Sequence, residues 1–254
     1  MPFNKDINGF KNENEFIRYL NGKKVGKVNP IFQDLLFKLY DNLSYKDLIF
    51  CRPNYDKQKF DMIIEINGIE KRISIKKGVK NSVHIEPFPM FILFLKDCGI
   101  SDEIINEVKL FHYGDGSADG SGEARISSLE YKEKYQDKLD LINYEFNKID
   151  VVLKAIDRFV LFGNNSNEPI DAIIYGVLED FIWITRDEIR DIILRNRDIK
   201  RTGLGFGSLF YQPMNRCLNH NLKYDHDRHI AQIKWYHLSD DIIEMMAERN
   251  IKST

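Results

Sequence analysis

Cysteine is scarce in this sequence. Cys51, Cys98 and Cys217 are the only three in 254 residues, and no two form a CxxC pair. An odd, widely spaced set speaks against a disulfide scaffold or a zinc site and points to a reducing, cytoplasmic setting. Long apolar runs are missing too: the longest, "PMFILFL" at 89–95, is far too short to span a bilayer. The opening residues, "MPFNKDINGFKNENEF", lack the apolar stretch of a signal peptide. Neither sign of charge dominates, since 37 Lys and Arg face 39 Asp and Glu for a formal net charge of −2. Bulk charge therefore announces no nucleic-acid partner, although a basic cleft fits inside a neutral average. Repeats, a P-loop, an HExxH helix and a GxSxG elbow are all absent.

What is present reads as a globular α/β (α+β) chain. Phe16, Ile17 and Leu20 stand at helical spacing, and Asn21-Gly22 ends that segment. Pro30 opens a second helix with Ile31, Leu35, Leu36 and Leu39 on one stripe. "YKDLIFCRPNYD" at 45–56 predicts a short strand or turn. Residues 88–97 predict an apolar helix, and Ser101 caps another. A Gly/Asp/Ser-rich loop at 114–125 precedes one or two long helices ending at Gly163. Beyond "GNNSNEP" at 163–169 the pattern changes. "DAIIYG", "DFIWIT" and "RHIAQIKWYHL" predict strands, and "TRDE" at 185–188 is a capping-box pattern opening a helix. A division near 165 follows, with 1–164 as a core domain and 165–254 as a C-terminal α+β part. The two parts packing as one unit is the alternative.

The stretch "KFDMIIEINGIEKRISIKKG" at 59–78 holds the most information. Asn67-Gly68 predicts a two-residue type I′ hairpin in which Ile66 pairs with Ile69. Alternation then places Phe60, Met62, Ile64, Ile66, Ile69, Ile73 and Ile75 on one face. Lys59, Asp61, Glu65, Glu70, Arg72, Ser74 and Lys76 fall on the other. Glu65, Glu70 and Arg72, near the turn, suit solvent. Asp61, Ser74 and Lys76 gather at the far end, with Asp61 across from Ser74. An Asp beside a Lys can hold a divalent metal while the ammonium orients a water attacking a phosphodiester. The plain alternative is a diagonal salt bridge on a solvated sheet face.

An Asp on one strand and an x-x-Lys tripeptide on the next resembles the core of the PD-(D/E)XK nuclease superfamily, the restriction-endonuclease-like fold. Asp61 and Ser74-Ile75-Lys76 carry the resemblance, which covers roughly residues 13–90. It implies a mixed sheet with flanking helices and a metal-dependent DNA endonuclease that hydrolyses phosphodiesters in restriction or phage defence. Mg2+ or Mn2+ would be bound by Asp61 with Glu15 on the preceding helix, or Glu13 as its substitute. Lys76 would position or activate the attacking water. Ser74 stands where the pattern has an acid, and Glu86 would supply the missing charge. Lys77, Lys80 and His84, with Arg228, His229 and Lys234 of the C-terminal part, would contact DNA. A homodimer is implied by the resemblance alone. The runner-up is a non-catalytic nucleic-acid- or protein-binding module that keeps the sheet and has lost the second carboxylate. A soluble interaction protein with no nucleic-acid role is a third reading.

Other constellations carry less. Asp115, Ser117, Asp119 and Gly120 match the first half of an EF-hand loop, but position twelve is Ile126 where a Glu is needed. "GLGFGS" at 203–208 is no nucleotide fingerprint and reads as a flexible loop. Asp171 with Gln232-Ile233-Lys234 repeats the Asp and x-x-Lys elements without local hairpin geometry.

Overall fold

In the computed structural model the chain runs α1 (Lys5–Leu20), α2 (Pro30–Leu39), β1 (Phe50–Pro53), β2 (Met62–Ile66), β3 (Ile69–Lys76), β4 (Ser82–Pro87), α3 (Phe88–Asp97), α4 (Asp102–Tyr113), α5 (Ser128–Phe146), α6 (Ile149–Ala155), β5 (Ala172–Val177), β6 (Asp180–Thr185), α7 (Arg186–Arg195), β7 (Leu204–Phe206), β8 (Leu209–Pro213), β9 (Ile230–Lys234) and α8 (Leu238–Lys252). The structure describes residues 5–56, 58–78, 81–122, 125–198, 203–216 and 222–252. It is a mixed α+β fold whose residues fall into two units. The first gathers Met1–Asn81, Val160–Arg190 and His237–Thr254; the second gathers Ser82–Phe159 and Asp191–Tyr236. The division expected near 165 is therefore corrected. Residues 163–169 do form a turn-rich link, but β5 beyond it pairs in parallel with β3. Parallel neighbours need a long crossover, so strands of one sheet lie far apart in sequence.

The first unit is built on a mixed sheet of order β1-β2-β3-β5-β6. Asn67 and Gly68 both have positive φ, 52° and 78°, as a type I′ turn requires. The ladder from Met62↔Ile73 to Ile66↔Ile69 has the register that turn predicts. Met62, Ile64, Ile66, Ile73 and Ile75 are buried with Phe16 and Leu20 of α1 and Phe32, Leu35 and Leu36 of α2. Asn29 caps α2 through its side chain, which accepts the Phe32 N–H at 2.9 Å. Ile69, expected in that core, is half exposed because it sits at the hairpin tip.

In the second unit a four-stranded sheet has the order β4-β9-β8-β7, all antiparallel. Its core is aromatic: Phe91 stacks on Tyr211 at 4.5 Å, and Phe146 on Phe206 at 4.4 Å. "GLGFGS", expected as a flexible loop, instead makes β7 and its turn into β8. Gly207 there has φ +55°, and a Cβ would fall 2.1 Å from the Ile193 carbonyl, so only glycine fits. Among the described residues no helix is long and apolar enough to cross a membrane.

Candidate active site

At the open end of the β2–β3 hairpin the ladder stops at Met62↔Ile73, and Asp61 lies just outside it. The Asp61 N–H still donates to the Ile73 carbonyl at 2.9 Å. Its carboxylate then takes over from the strand. Oδ2 accepts the Ile75 N–H at 2.5 Å and the Ser74 hydroxyl at 3.0 Å. Lys76 Nζ stands 3.7 Å from the same oxygen and 3.4 Å from the Ile75 carbonyl. Asp61 Oδ1 takes part in none of these bonds, and both charged side chains remain about a quarter exposed. Ser74 is buried, so its hydroxyl serves to orient Asp61.

The helix before the hairpin adds a second carboxylate. Asn12 of α1 donates from Nδ2 to the Gly176 carbonyl at 3.1 Å, next to Tyr175, which pairs with Lys76. That anchor brings Glu13 to the same end of the sheet. Burial raises the Glu13 carboxyl above its usual range, the Asp61 charge raises it further, and Lys76 pulls it back. Glu15 is expected in this role with Glu13 as its substitute, and the two differ in their place on α1. Glu13 precedes Phe16, Ile17 and Leu20 by three, four and seven residues and so faces the sheet, whereas Glu15 lies off that stripe.

Lys59 joins these groups, and the sequence reading gave it no role. Its N–H donates to Ser166 Oγ at 2.6 Å, and its stem lies against Gly163. Burial lowers its ammonium to about 7, the Lys76 charge lowers it further, and Asp61 opposes both. Its signal in the sequence is alternation, which puts it on the polar face with Asp61.

Most of the remaining expected residues have partners of their own. Glu86 belongs to the second unit and is buried against Arg158 Nη2 at 2.5 Å and His84 Nε2 at 3.4 Å. Burial would raise its carboxyl, but His84 and Arg158 hold it low. It is thus engaged in a local ion pair with Arg158. His84, expected on DNA, is also buried and packs on Phe159. Arg228, also expected on DNA, donates from Nη1 to the Gly120 carbonyl at 3.0 Å, and 16% of its side chain is exposed. His229 is exposed, with Nδ1 3.2 Å from the Tyr113 hydroxyl, and half-buried Lys234 lies over the Tyr236 ring. Lys77 is exposed, while Lys80 lies outside the described residues. Asp171 is buried and occupied by the Arg72 N–H at 2.8 Å and Arg186 at 2.7 Å. Asp115 Oδ1 accepts from the Ser117 N–H and hydroxyl, so the calcium-like loop is closed on itself.

Among the described residues no group of three or more His, Cys, Asp or Glu side chains is arranged to hold a metal. Two carboxylates are nevertheless enough for Mg2+, which keeps several waters and takes one or two carboxylates plus substrate phosphate oxygens. The raising of Glu13 by Asp61 is like-charge repulsion that a divalent cation relieves. Asp61 and Glu13 are donors of the carboxylate kind that ion takes.

A mixed sheet flanked by helices, carrying an acid and a lysine at the end of one hairpin, has the fold of a restriction endonuclease. A crystal structure of the restriction endonuclease MspI in complex with its cognate DNA is similar over 92% of this chain and 91% of that one, with a TM-score of 0.50 and 18% identity. At that identity the likeness is one of fold. No family model and no curated protein sequence matches the chain.

Proposed function

We propose that the chain is a metal-dependent DNA endonuclease that hydrolyses phosphodiesters, serving in restriction or phage defence. The observation that carries this reading is the meeting of Asp61, Glu13 and Lys76 at one end of the hairpin. The MspI structure, which is a DNA complex, supports DNA as the substrate.

Asp61 and Glu13 would hold Mg2+ or Mn2+, and the chemistry such an ion supplies is activation of a water and neutralisation of phosphate charge. The residues of the chain do the rest. Ile75 N–H and Ser74 hold the Asp61 carboxylate through Oδ2, leaving Oδ1 outside those two bonds. Lys76 stands beside it to orient the attacking water and to stabilise the charge that builds on the phosphorane oxygens. Exposed Lys77, one residue on, suits contact with a neighbouring backbone phosphate.

The test is cleavage of plasmid DNA with and without Mg2+ by the wild type, Asp61→Ala and Lys76→Ala. Metal-dependent cleavage lost in both variants supports the reading, and cleavage that survives either one overturns it. Ser74 favours a second reading, since it leaves the site one acid short of the usual pattern: a module that binds DNA without cutting it. DNA binding with steep salt dependence and no cleavage in any metal would select that reading.

A further inference from the structure

We propose that Asn54 is a positioning residue of the site: it clamps the backbone on both sides of Asp61 and so aims its carboxylate. The proposal rests on the reading of Asp61 as the acid of a nuclease.

Asp61 lies where the pairing of the sheet runs out. The β2–β3 ladder ends at Met62↔Ile73, and β1 ends opposite Met62 at Pro53, which has no N–H to give. Asn54 is the next residue, and its N–H donates to the Asp61 carbonyl at 3.1 Å. Its side chain turns back, with Nδ2 donating to the Phe60 carbonyl at 2.7 Å and to the Gln58 carbonyl at 3.4 Å. One residue therefore holds both the carbonyl before Asp61 and the carbonyl of Asp61 itself. Oδ1 is used as well: it accepts the Asp56 N–H at 2.9 Å in an Asx turn, which fixes the plane of the amide.

The other restraints on Asp61 agree with this. Its N–H donates to the Ile73 carbonyl at 2.9 Å, and Phe60 and Met62 on either side of it are buried. With both flanking peptides held, the direction of the Cα–Cβ bond is set, and only the side-chain torsions remain. They settle where Oδ2 meets the Ile75 N–H and the Ser74 hydroxyl. The bonds made by Asn54 go to backbone groups, so it acts through Asp61. Partners that orient a metal ligand in this way are worth about 10- to 100-fold in metal affinity or activity.

The experiment compares wild type, Asn54→Ala and Asn54→Ser as full chains, once circular dichroism shows each to be folded. Serine keeps an acceptor for the Asp56 N–H, but its hydroxyl ends one bond short of Nδ2 and loses the Phe60 carbonyl. Amide hydrogen exchange is followed by NMR at Ile75, whose N–H is held by Asp61, and at Ile64, inside the β2–β3 ladder. Exchange at Ile75 is expected to quicken by roughly fivefold in both variants, while Ile64 keeps its wild-type rate. In plasmid cleavage the Mg2+ concentration for half-maximal rate is expected to rise by about tenfold or more. Should Asn54→Ala fail to fold, Asn54→Ser carries both measurements. An unchanged Ile75 rate in a folded variant overturns the proposal. So does equal quickening at Ile75 and Ile64, which marks a loss of overall stability alone. An unchanged Mg2+ requirement in variants that cleave overturns it too. Wild-type protein that cuts DNA in neither Mg2+ nor Mn2+ contradicts the nuclease reading, and the Ile75 rates still decide whether Asn54 holds Asp61.

Discussion

The Asp61 carboxylate holds the N–H of Ile75 at 2.5 Å, doing for β3 what a strand neighbour does elsewhere in the sheet. Asp61 is thereby both a structural acceptor and the acid of the candidate site. Replacing it by alanine leaves Ile75 N–H without that acceptor, which costs about 1 kcal/mol of stability for a partly exposed bond. Cleavage is expected to fall by roughly 10³-fold or more, well beyond any effect of that loss on the folded fraction. Denaturant unfolding and a plasmid assay on the same preparation separate the two effects.

Ser74 offers a contrast. Ser74→Ala removes one hydrogen bond to Asp61 but leaves the Ile75 N–H in place. A reduction of roughly tenfold or less in cleavage is expected, because one of the two orienting donors remains. If Ser74→Ala is as inactive as Asp61→Ala, the hydroxyl does more than orient.

Glu13 and Glu15 make a matched pair two residues apart on α1. Glu13→Gln is expected to lower cleavage by roughly 100-fold or more and to raise the Mg2+ concentration needed for half-maximal rate, whereas Glu15→Gln stays near wild type. The reverse ranking would return the acid to Glu15.

His112 predicts how stability depends on pH. It is buried, with Nε2 donating to the Arg228 carbonyl at 2.9 Å, so Nδ1 accepts from the Tyr211 hydroxyl. Burial lowers its pKa to about 3 from the usual 6.5. Protonation therefore favours the unfolded chain between those values. The stability it contributes is complete above pH 6.5 and is lost as pH falls towards 3, by about 2 kcal/mol at pH 5. Denaturant midpoints at pH 7 and pH 5 measure this, and His112→Gln is expected to remove most of the difference.

Breaking the ion pair of Glu86 with Arg158 is expected to act on the fold. Glu86→Ala leaves Arg158, itself about a quarter exposed, without its buried partner, costing about 3 kcal/mol. A folded Glu86→Ala protein that has specifically lost Mg2+ dependence would restore Glu86 to the metal site.

Much of this was legible because the deciding interactions are local. Asn67-Gly68 alone fixes which residues of the hairpin face each other, and so brings Asp61 to Ser74 and Lys76. The helical period through Phe16, Ile17 and Leu20 was sufficient to prefer Glu13 to Glu15, had the acid been placed on the stripe instead of beside it. Glu86 was not legible, because its partner Arg158 lies 72 residues away and no pattern links them. Distance hid the two units in the same way. The partners of β3 and β4 are β5 and β9, far along the chain, and a linker composition at 163–169 carries no information about either pairing. Lys59 was legible as a member of the polar face, but its nearness to the site depends on Gly163 and Ser166, which sequence alone does not bring near.

The most direct measurement is cleavage of supercoiled plasmid by folded wild type, Glu13→Gln and Lys76→Met, each with Mg2+, with Mn2+ and with EDTA. The wild type is expected to nick or linearise the plasmid only with a divalent metal, and both variants to be inactive at matched concentration. Cleavage in EDTA, undiminished cleavage by either variant, or an inert wild type that binds DNA would contradict a nuclease centred on Asp61, Glu13 and Lys76.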